Sequence, residues 1–471
     1  MRALSGIATL LFASQVFAQS QALTKINVVA LGPKGAPVTD LTAADFQIRV
    51  DGKLCPVLFS RFAGGKHQLV QPGPEEFVNH PGPPFTVILL DRWNERESTM
   101  VTAWQDVATA VGHLETVDRV YIYYIANRGE LVPIYPLPGL EADLHVPESP
   151  PAATLVSKLD ETVRSLAGLR NMGNVDPAVR ADITLQGLGI AGRMAAIDGP
   201  KNLVWVTHGF PIQFVSSSGQ LMDYTGPLLG LAQVAGRAQV AIYTVDQSEE
   251  GAGANVAGLS RLTLELVSAQ TGGRWYSSGR ASDALAGVSA DARGTYQVAY
   301  VAPVNPKAPK DHKVRVESSR KGLRLLARAG YSGDEVLPDA DEASDEAFTR
   351  QSHSPFEATE IGLRAAVSHT SSAVHLEIHV DPADVLLEHK GDRYLGSLAL
   401  KFALYRGGTF KGGQPSFQQD VTLTQEQYEA ALKNGIVISR DVQVSDEFEK
   451  LRVMVFDRGA QGLGSVVVPL R

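Results

Sequence analysis

Apolar residues recur along this chain with two different spacings, and the changes between them mark its parts. Residues 26–31 form a β-rich run, and 32–35 (Gly-Pro-Lys-Gly) read as a turn. Thr42-Ala43-Ala44-Asp45 predicts a short helical turn with a threonine cap. Phe46, Ile48 and Val50 then alternate with polar residues, and Asp51-Gly52 closes a hairpin. This unit, residues 24–63, has too few strands to bury a core alone. Residues 64–84 are rich in glycine and proline and read as a linker.

From about residue 83 the period changes. Phe85-Thr86-Val87-Ile88-Leu89-Leu90 is continuously apolar and ends at Asp91, which suits a central parallel strand buried on both faces. Met100, Trp104, Val107, Val111 and Leu114 follow at helical spacing. Strands are predicted at 119–126, 131–135, 202–207 and 240–245, and helices at 152–169, 177–197 and 255–270. Thr271-Gly272-Gly273 supplies the last helix with its stop. Strands alternating with helices over 83–293 imply an α/β unit with a doubly wound, mainly parallel sheet.

After Gly294 alternation returns at Tyr296, Val298 and Tyr300, at Val314 and Val316, and at Leu323 and Leu325. Residues 294–333 thus offer the strands that 24–63 lacks. The expectation is one β-sandwich built from both flanks, with the α/β unit inserted in it. Residues 334–354 are acidic, lack periodicity and read as a linker. Residues 355–471 read as a C-terminal β-sandwich of roughly seven strands. Its alternating runs centre on Leu376, Leu400 and Val453, and a helix at 424–433 carries a Thr424/Gln427 capping box and a stop at Gly435.

The N-terminus adds a destination. Arg2 precedes an apolar run over 3–17, and Val16-Phe17-Ala18 suits cleavage before Gln19. Residues 1–18 read as a signal peptide, because the run falls short of the ~20 residues that span a bilayer. The mature chain is expected to be exported, to the periplasm or the cell exterior, with no membrane span. A formal net charge of −8 argues against nucleic acid and anionic membranes as partners. The single cysteine, Cys55, excludes an internal disulfide and suits a buried small apolar role.

The α/β segment resembles a von Willebrand factor A domain. The marks are the apolar strand ending in Asp91, the amphipathic helix after it, and the 202–207 strand running into His208-Gly209. With Pro37-Val38-Thr39-Asp40-Leu41-Thr42-Ala43-Ala44-Asp45-Phe46 before it and the strands up to Tyr331 after it, the chain is similar over about 24–333 to the von Willebrand factor A-related family of exported bacterial (acidobacterial-type) proteins. The C-terminal unit looks like the β domain that often ends such chains. The resemblance implies ligand docking at the carboxyl ends of the parallel strands, often through a divalent cation. The family's metal-ion-dependent adhesion site uses Asp-x-Ser-x-Ser, a middle-loop Thr and a second Asp, giving Mg²⁺ its oxygen shell.

This sequence departs from that pattern. Asp91 is present, but Trp93 and Glu95 stand at the serine positions, and His208 stands for the second aspartate. Asp91, Glu95 and Thr184 are the candidate metal ligands of a degenerate site. Asp91, Asn94, Glu95, Thr184, Thr207 and His208 are the candidate ligand-binding set. An alternative is that Asp91 and His208 form a polar pair on a metal-free surface. The cofactor expectation is none, with Mg²⁺ retained only through the degenerate site. Residues 210–227 read as a long loop on the rim of the same face, carrying Ser216-Ser217-Ser218-Gly219, Asp223 and Tyr224.

Other motifs have plainer readings. Gly187-Leu188-Gly189-Ile190-Ala191-Gly192 matches a dinucleotide fingerprint but sits within a helical stretch ahead of a strand, where it reads as small-residue packing. His375-x-Glu377-x-His379 lies on a strand, with all three side chains on its solvated face. No G-x-S-x-G elbow and no H-E-x-x-H occurs. The function expected is therefore a non-enzymatic, exported binding or adhesion protein with a protein or polysaccharide ligand. An envelope scaffolding protein with a vestigial site, or an exported hydrolase, are the alternatives.

Overall fold

Six strands form the central sheet, in the spatial order Trp275–Tyr276, Val240–Asp246, Lys201–Thr207, Phe85–Leu90, Val120–Ile125, Leu131–Tyr135. All neighbours are parallel except the last pair. In this computed structural model the described residues are 22–64, 73, 75–79, 84–94, 97–114, 119–138, 151–166, 175–246, 254–277, 280–302, 311–332, 338–369 and 373–470. The proposed leader lies outside them.

Alternation within each central strand sends side chains to two apolar layers. Ile88 and Leu90 join Val204 and Val206 against Trp104, Leu159 and Leu285, which belong to helices Glu97–Gly112, Ala152–Leu166 and Ala281–Arg293. Val87 and Leu89 join Leu203 and Trp205 against Leu188, Leu228 and Leu264, from helices Pro177–Leu188, Thr225–Arg237 and Ala254–Thr271. The sheet is covered on both faces. The molecule is mixed α/β with a β-rich C-terminal region.

Strands from both sides of this unit share sheets. Ala22–Leu31 lies between Thr295–Ala302 and Arg324–Ala327, with Val28 opposite Tyr296. In a second sheet Phe46–Val50 pairs with Asp311–Ser318, with Ile48 opposite Val316. Their inward residues, Val28, Ile48, Tyr296 and Val298 among them, fill one core that also takes up Cys55. Burial raises the Cys55 thiol above its ordinary range.

Two segments read as linkers each contain a regular element. Glu76–Val78 is a strand on the edge of a C-terminal sheet, paired with Leu363–His369 so that Phe77 faces Ala365. Buried Asn79 fixes it, donating to the carbonyls of Ala358 and Ile361 and accepting from the Leu363 amide. The acidic stretch contains a helix, Ala340–Ser352. Its acids are what start it. Asp339 caps the amides of Asp341 and Glu342 at 3.0 and 3.1 Å, and those two acids sit in the first turn, where the helix dipole favours them. Ala343, Ala347 and Phe348 form a narrow buried stripe against Ala403, Tyr405 and Phe456. Asp339→Ala is expected to cost about 1 kcal/mol, measurable as a lower urea midpoint.

The remaining C-terminal strands build two sheets around one core. Ala373–Val380, Leu363–His369 and Ile436–Gln443 face Arg393–Arg406, Lys450–Asp457 and Leu463–Pro469 across Leu376, Ile378, Leu400, Phe402 and Val453. The helix Gln425–Asn434 carries both halves of its capping box, and Gly435 follows with φ +83°.

A buried polar knot ties the parts together. Arg61 meets Glu360 at 2.9 Å, and both are nearly inaccessible. Gln297 donates to the same carboxylate oxygen at 2.8 Å and to Gln239 at 3.1 Å, while the Leu463 amide donates to the other carboxylate oxygen at 3.0 Å. Arg61 and Gln297 come from the flanking strands, Gln239 from the α/β unit, and Glu360 and Leu463 from the C-terminal region.

Candidate functional site

The order of the central strands reverses at Phe85–Leu90. The next strand in sequence, Val120–Ile125, lies on one side of it, and Lys201–Thr207 lies on the other. A crevice outside the carboxyl ends of the strands opens at such a switch point, and ligands of open α/β sheets bind there. Asp91 follows the first strand and Thr207 ends its neighbour, with the Asp91 amide donating to the Val206 carbonyl at 3.0 Å. Asp246 ends the next strand in register with Thr207 and is also buried. It is a site residue the sequence reading passed over. The signal was there, since Val240–Asp246 ends on an acid as the first strand does.

Asp91 is fully buried and accepts five hydrogen bonds. Its Oδ1 takes the amides of Trp93 at 2.9 Å and Asn94 at 3.3 Å. Its Oδ2 takes the Asn94 side-chain amide at 2.7 Å, the Thr207 hydroxyl at 2.7 Å and the Trp205 indole at 3.2 Å. His208 lies half-buried just beyond Thr207. Burial pushes the Asp91 carboxyl above the ordinary carboxylate range, and the bonds from Asn94, Thr207 and Trp93 pull it back part of the way.

Asn94 bridges the site. The same amide nitrogen that meets Asp91 also donates to the Thr184 hydroxyl at 2.8 Å, and Thr184 in turn donates to the Arg180 carbonyl at 2.9 Å. Thr184 is fully buried on the Pro177–Leu188 helix. Trp93 is also buried, its indole donating to the Ala126 carbonyl at 2.8 Å. The Thr207 hydroxyl accepts from the Gly209 amide at 2.8 Å. Gly209 has φ +67°, and a Cβ there would come within 3.1 Å of Leu264, so the turn requires glycine. Glu95 lies outside the described residues.

Asp91 and Thr184, two of the candidate metal ligands, are already committed to other partners. A carboxylate offers about four lone-pair sites, and Asp91 already meets five donors. The group between Asp91 and Thr184 is an N–H donor, which cannot ligate a cation. As arranged, Asp91 and Thr184 do not fit a hexacoordinate Mg²⁺. Among the described residues, no group of three or more His, Cys, Asp or Glu is placed to hold a metal.

The rim is more ordered than a loop. Gln213–Val215 and Leu221–Asp223 pair as a hairpin, and the helix Thr225–Arg237 begins within the stretch read as loop. Phe214 stacks on Tyr224 at 5.7 Å, and the Tyr224 hydroxyl donates to Asp182 at 3.0 Å. Ser217 bonds through both its hydroxyl and its amide to Asp176, which also caps the Pro177–Leu188 helix. The hairpin is thus pinned beside the site, yet Val215 and Leu221 remain 64% and 68% exposed.

The other motifs resolve simply. At Gly187 a Cβ would lie 2.6 Å from Ile125, so close packing explains that glycine. His379 is buried, not solvated as expected, and contacts Glu377 at 2.8 Å and the Asn434 carbonyl at 2.7 Å. His375 pairs instead with Asp441 at 2.7 Å. The His-Glu-His trio therefore does not converge.

No protein-family model matches the chain, and no curated protein matches it. Among solved structures, a hypothetical protein from Pyrococcus horikoshii OT3 aligns at 14% identity, covering 23% of this chain and 87% of its own, with a TM-score of 0.15. A superoxide reductase (1Fe-SOR) from Giardia intestinalis aligns at 11% identity over 22% of this chain and 95% of its own, with a TM-score of 0.14. Likenesses of this size cover less than a quarter of the chain and carry no argument about its fold or function.

Proposed function

We propose that the chain is an exported, non-enzymatic binding protein whose central unit is a von Willebrand factor A-like domain that recognises its partner without a metal ion. The observation that carries this reading is the Asn94 amide, which fills the place between Asp91 and Thr184 where a cation would bridge them. The switch-point position of Asp91 and the helices on both sheet faces support the family resemblance. The pinned hairpin offers two exposed apolar side chains beside that position, and apolar groups on a rigid rim suit a protein or polysaccharide surface.

The test is adhesion of the full chain to panels of immobilised extracellular proteins and polysaccharides. Binding is expected to survive EDTA and to drop at least about tenfold in a Val215→Asp/Leu221→Asp variant, because each anchor removed from an interface centre costs over about 1 kcal/mol. Binding that requires Mg²⁺, or that ignores the double substitution, defeats the proposal. A chain that binds nothing on either panel favours the scaffolding alternative.

A further inference from the structure

A polar cavity of about 300 Å³ opens at the opposite edge of the central sheet. It lies at the amino ends of the Lys201–Thr207 and Val240–Asp246 strands, about 20 Å from the Asp91 face at ~3.3 Å per residue. Its walls come from all three parts of the chain. Lys25 belongs to the flanking strands, Asp198, Lys201 and Arg237 to the α/β unit, and Arg350 and Glu360 to the C-terminal region.

The charges in its walls are unevenly matched. Two of its acids are engaged, Asp198 by Arg350 at 2.5 Å and Glu360 by Arg61 and Gln297, and Glu346 also lines the wall. The two lysines make no direct ion pair, although the Glu360 charge reaches Lys25. The Lys201 ammonium, only 3% exposed, donates to the carbonyls of Ile197 and Gly199 at 2.5 and 2.7 Å. Lys25 donates to the Gln461 carbonyl. Among the described residues neither has a carboxylate within ion-pair distance. An ammonium carries three donors, so one N–H on Lys201 and two on Lys25 remain for something else. A buried cation held only by carbonyls is costly. Burial accordingly brings the Lys201 pKa down to about 8, against the upward pull of Asp198 and Glu360.

We propose that this junction cavity binds a compact anion with two or more negative charges, a phosphate or a polycarboxylate, held by Lys25 and Lys201 with Arg237 and Arg350 on its walls. Its volume is at the lower end of the range for small-ligand sites, which excludes a macromolecule as the occupant. An anion there would touch all three parts at once. Bound only by the folded assembly, it would stabilise the whole. This proposal does not rest on the strand-end face.

The test uses the full chain in chloride buffer at fixed ionic strength. Inorganic phosphate and citrate are titrated separately, and the thermal midpoint is read. A saturable rise with at least one of them is expected, and the pair shows which class the site takes. Lys201→Met and Lys25→Met are each expected to weaken the apparent Kd by about tenfold or more, the worth of a charge-assisted hydrogen bond. Should Lys201→Met fail to fold, Lys25→Met still decides. Independently, reductive ¹³C-methylation of the lysines lets NMR follow Lys201, whose pKa should rise from about 8 when the anion is added. No rise over chloride with either anion, or a rise that a folded lysine variant keeps in full, overturns the proposal.

Discussion

Glu360→Ala is expected to lower the stability of the full chain by about 3–5 kcal/mol, the usual loss when one partner of a buried ion pair is removed. The reason is local. Arg61 is 3% exposed and Lys25 lines the adjoining cavity, so both would face a low-dielectric junction without their shared anion. Burial alone would raise the Glu360 carboxyl, but Lys25, Arg61 and the bonds from Gln297 and Leu463 overcome it and bring the pKa down to about 2. A carboxyl whose folded pKa lies below its ordinary value of 4.5 contributes stability above that value, and the contribution disappears as pH falls towards 2. The size is about 3 kcal/mol at 1.36 kcal/mol per unit. Asp457, raised by burial to about 6, runs the other way, and its contribution is lost as pH rises from 3.8 through 6. The variant should therefore lack the acid fall between 4.5 and 2.

Two probes make this visible. The four tryptophans, at 93, 104, 205 and 275, all lie in the central unit, whereas far-ultraviolet dichroism reports every sheet. Urea transitions followed by the two should coincide in the unmodified chain and separate in Glu360→Ala. A midpoint unchanged to within about 0.5 kcal/mol would mean that the knot does not couple the parts.

Asp91→Ala is expected to destabilise the central unit by about 3 kcal/mol. It strips the acceptor from five donors, and each buried orphan costs about 1–3 kcal/mol, partly offset by no longer burying a carboxyl. Asp91→Asn should fare little better, because its amide presents N–H groups to the Thr207 and Trp205 donors. Asn94→Asp is the informative companion. It replaces the bridging donor with a second carboxylate beside Asp91 and Thr184, so its melting temperature should become dependent on Mg²⁺ or Ca²⁺ while that of the unmodified chain does not. A divalent-dependent melting temperature in the unmodified chain would contradict a metal-free site.

The central strands were legible because burial on both faces leaves a run of consecutive apolar residues, as in Val87–Leu90 and Leu203–Val206. Elements whose stabilising contacts come from elsewhere were not. The Thr225–Arg237 helix opens Thr-Gly-Pro, which reads as a loop, yet Pro227 sits in the first turn, where its missing N–H is not needed. Ala281–Arg293 was missed because half of its buried residues are alanine and one is Asp291, which leaves only Leu285 and Val288 to mark a period. Glu76–Val78 is too short, and too closely set among glycine and proline, to show a period. At the site, Asp91 stood out as the end of a strand. The bridging role of Asn94 did not, since a motif reading looks for oxygens at the serine positions and passes over the amide between them. The indole of Trp205, counted as core, turned out to point its one donor at the carboxylate. The junction knot joins residues from 61 to 463 and leaves no local pattern at all.

The strand at Glu76–Val78 also sets a schedule. Its ion-paired residue, Glu76, precedes Arg364 by 288 positions, and the entire central unit is made between them. At about 5–20 residues per second, ribosomes would need roughly 15–60 s to deliver the partner strand. Through that interval the three residues lack their partner strand while the chain of the central unit is made. The last sheet thus closes the chain back onto its beginning, and a fragment starting at residue 355 would lack an edge that only the N-terminal portion can supply.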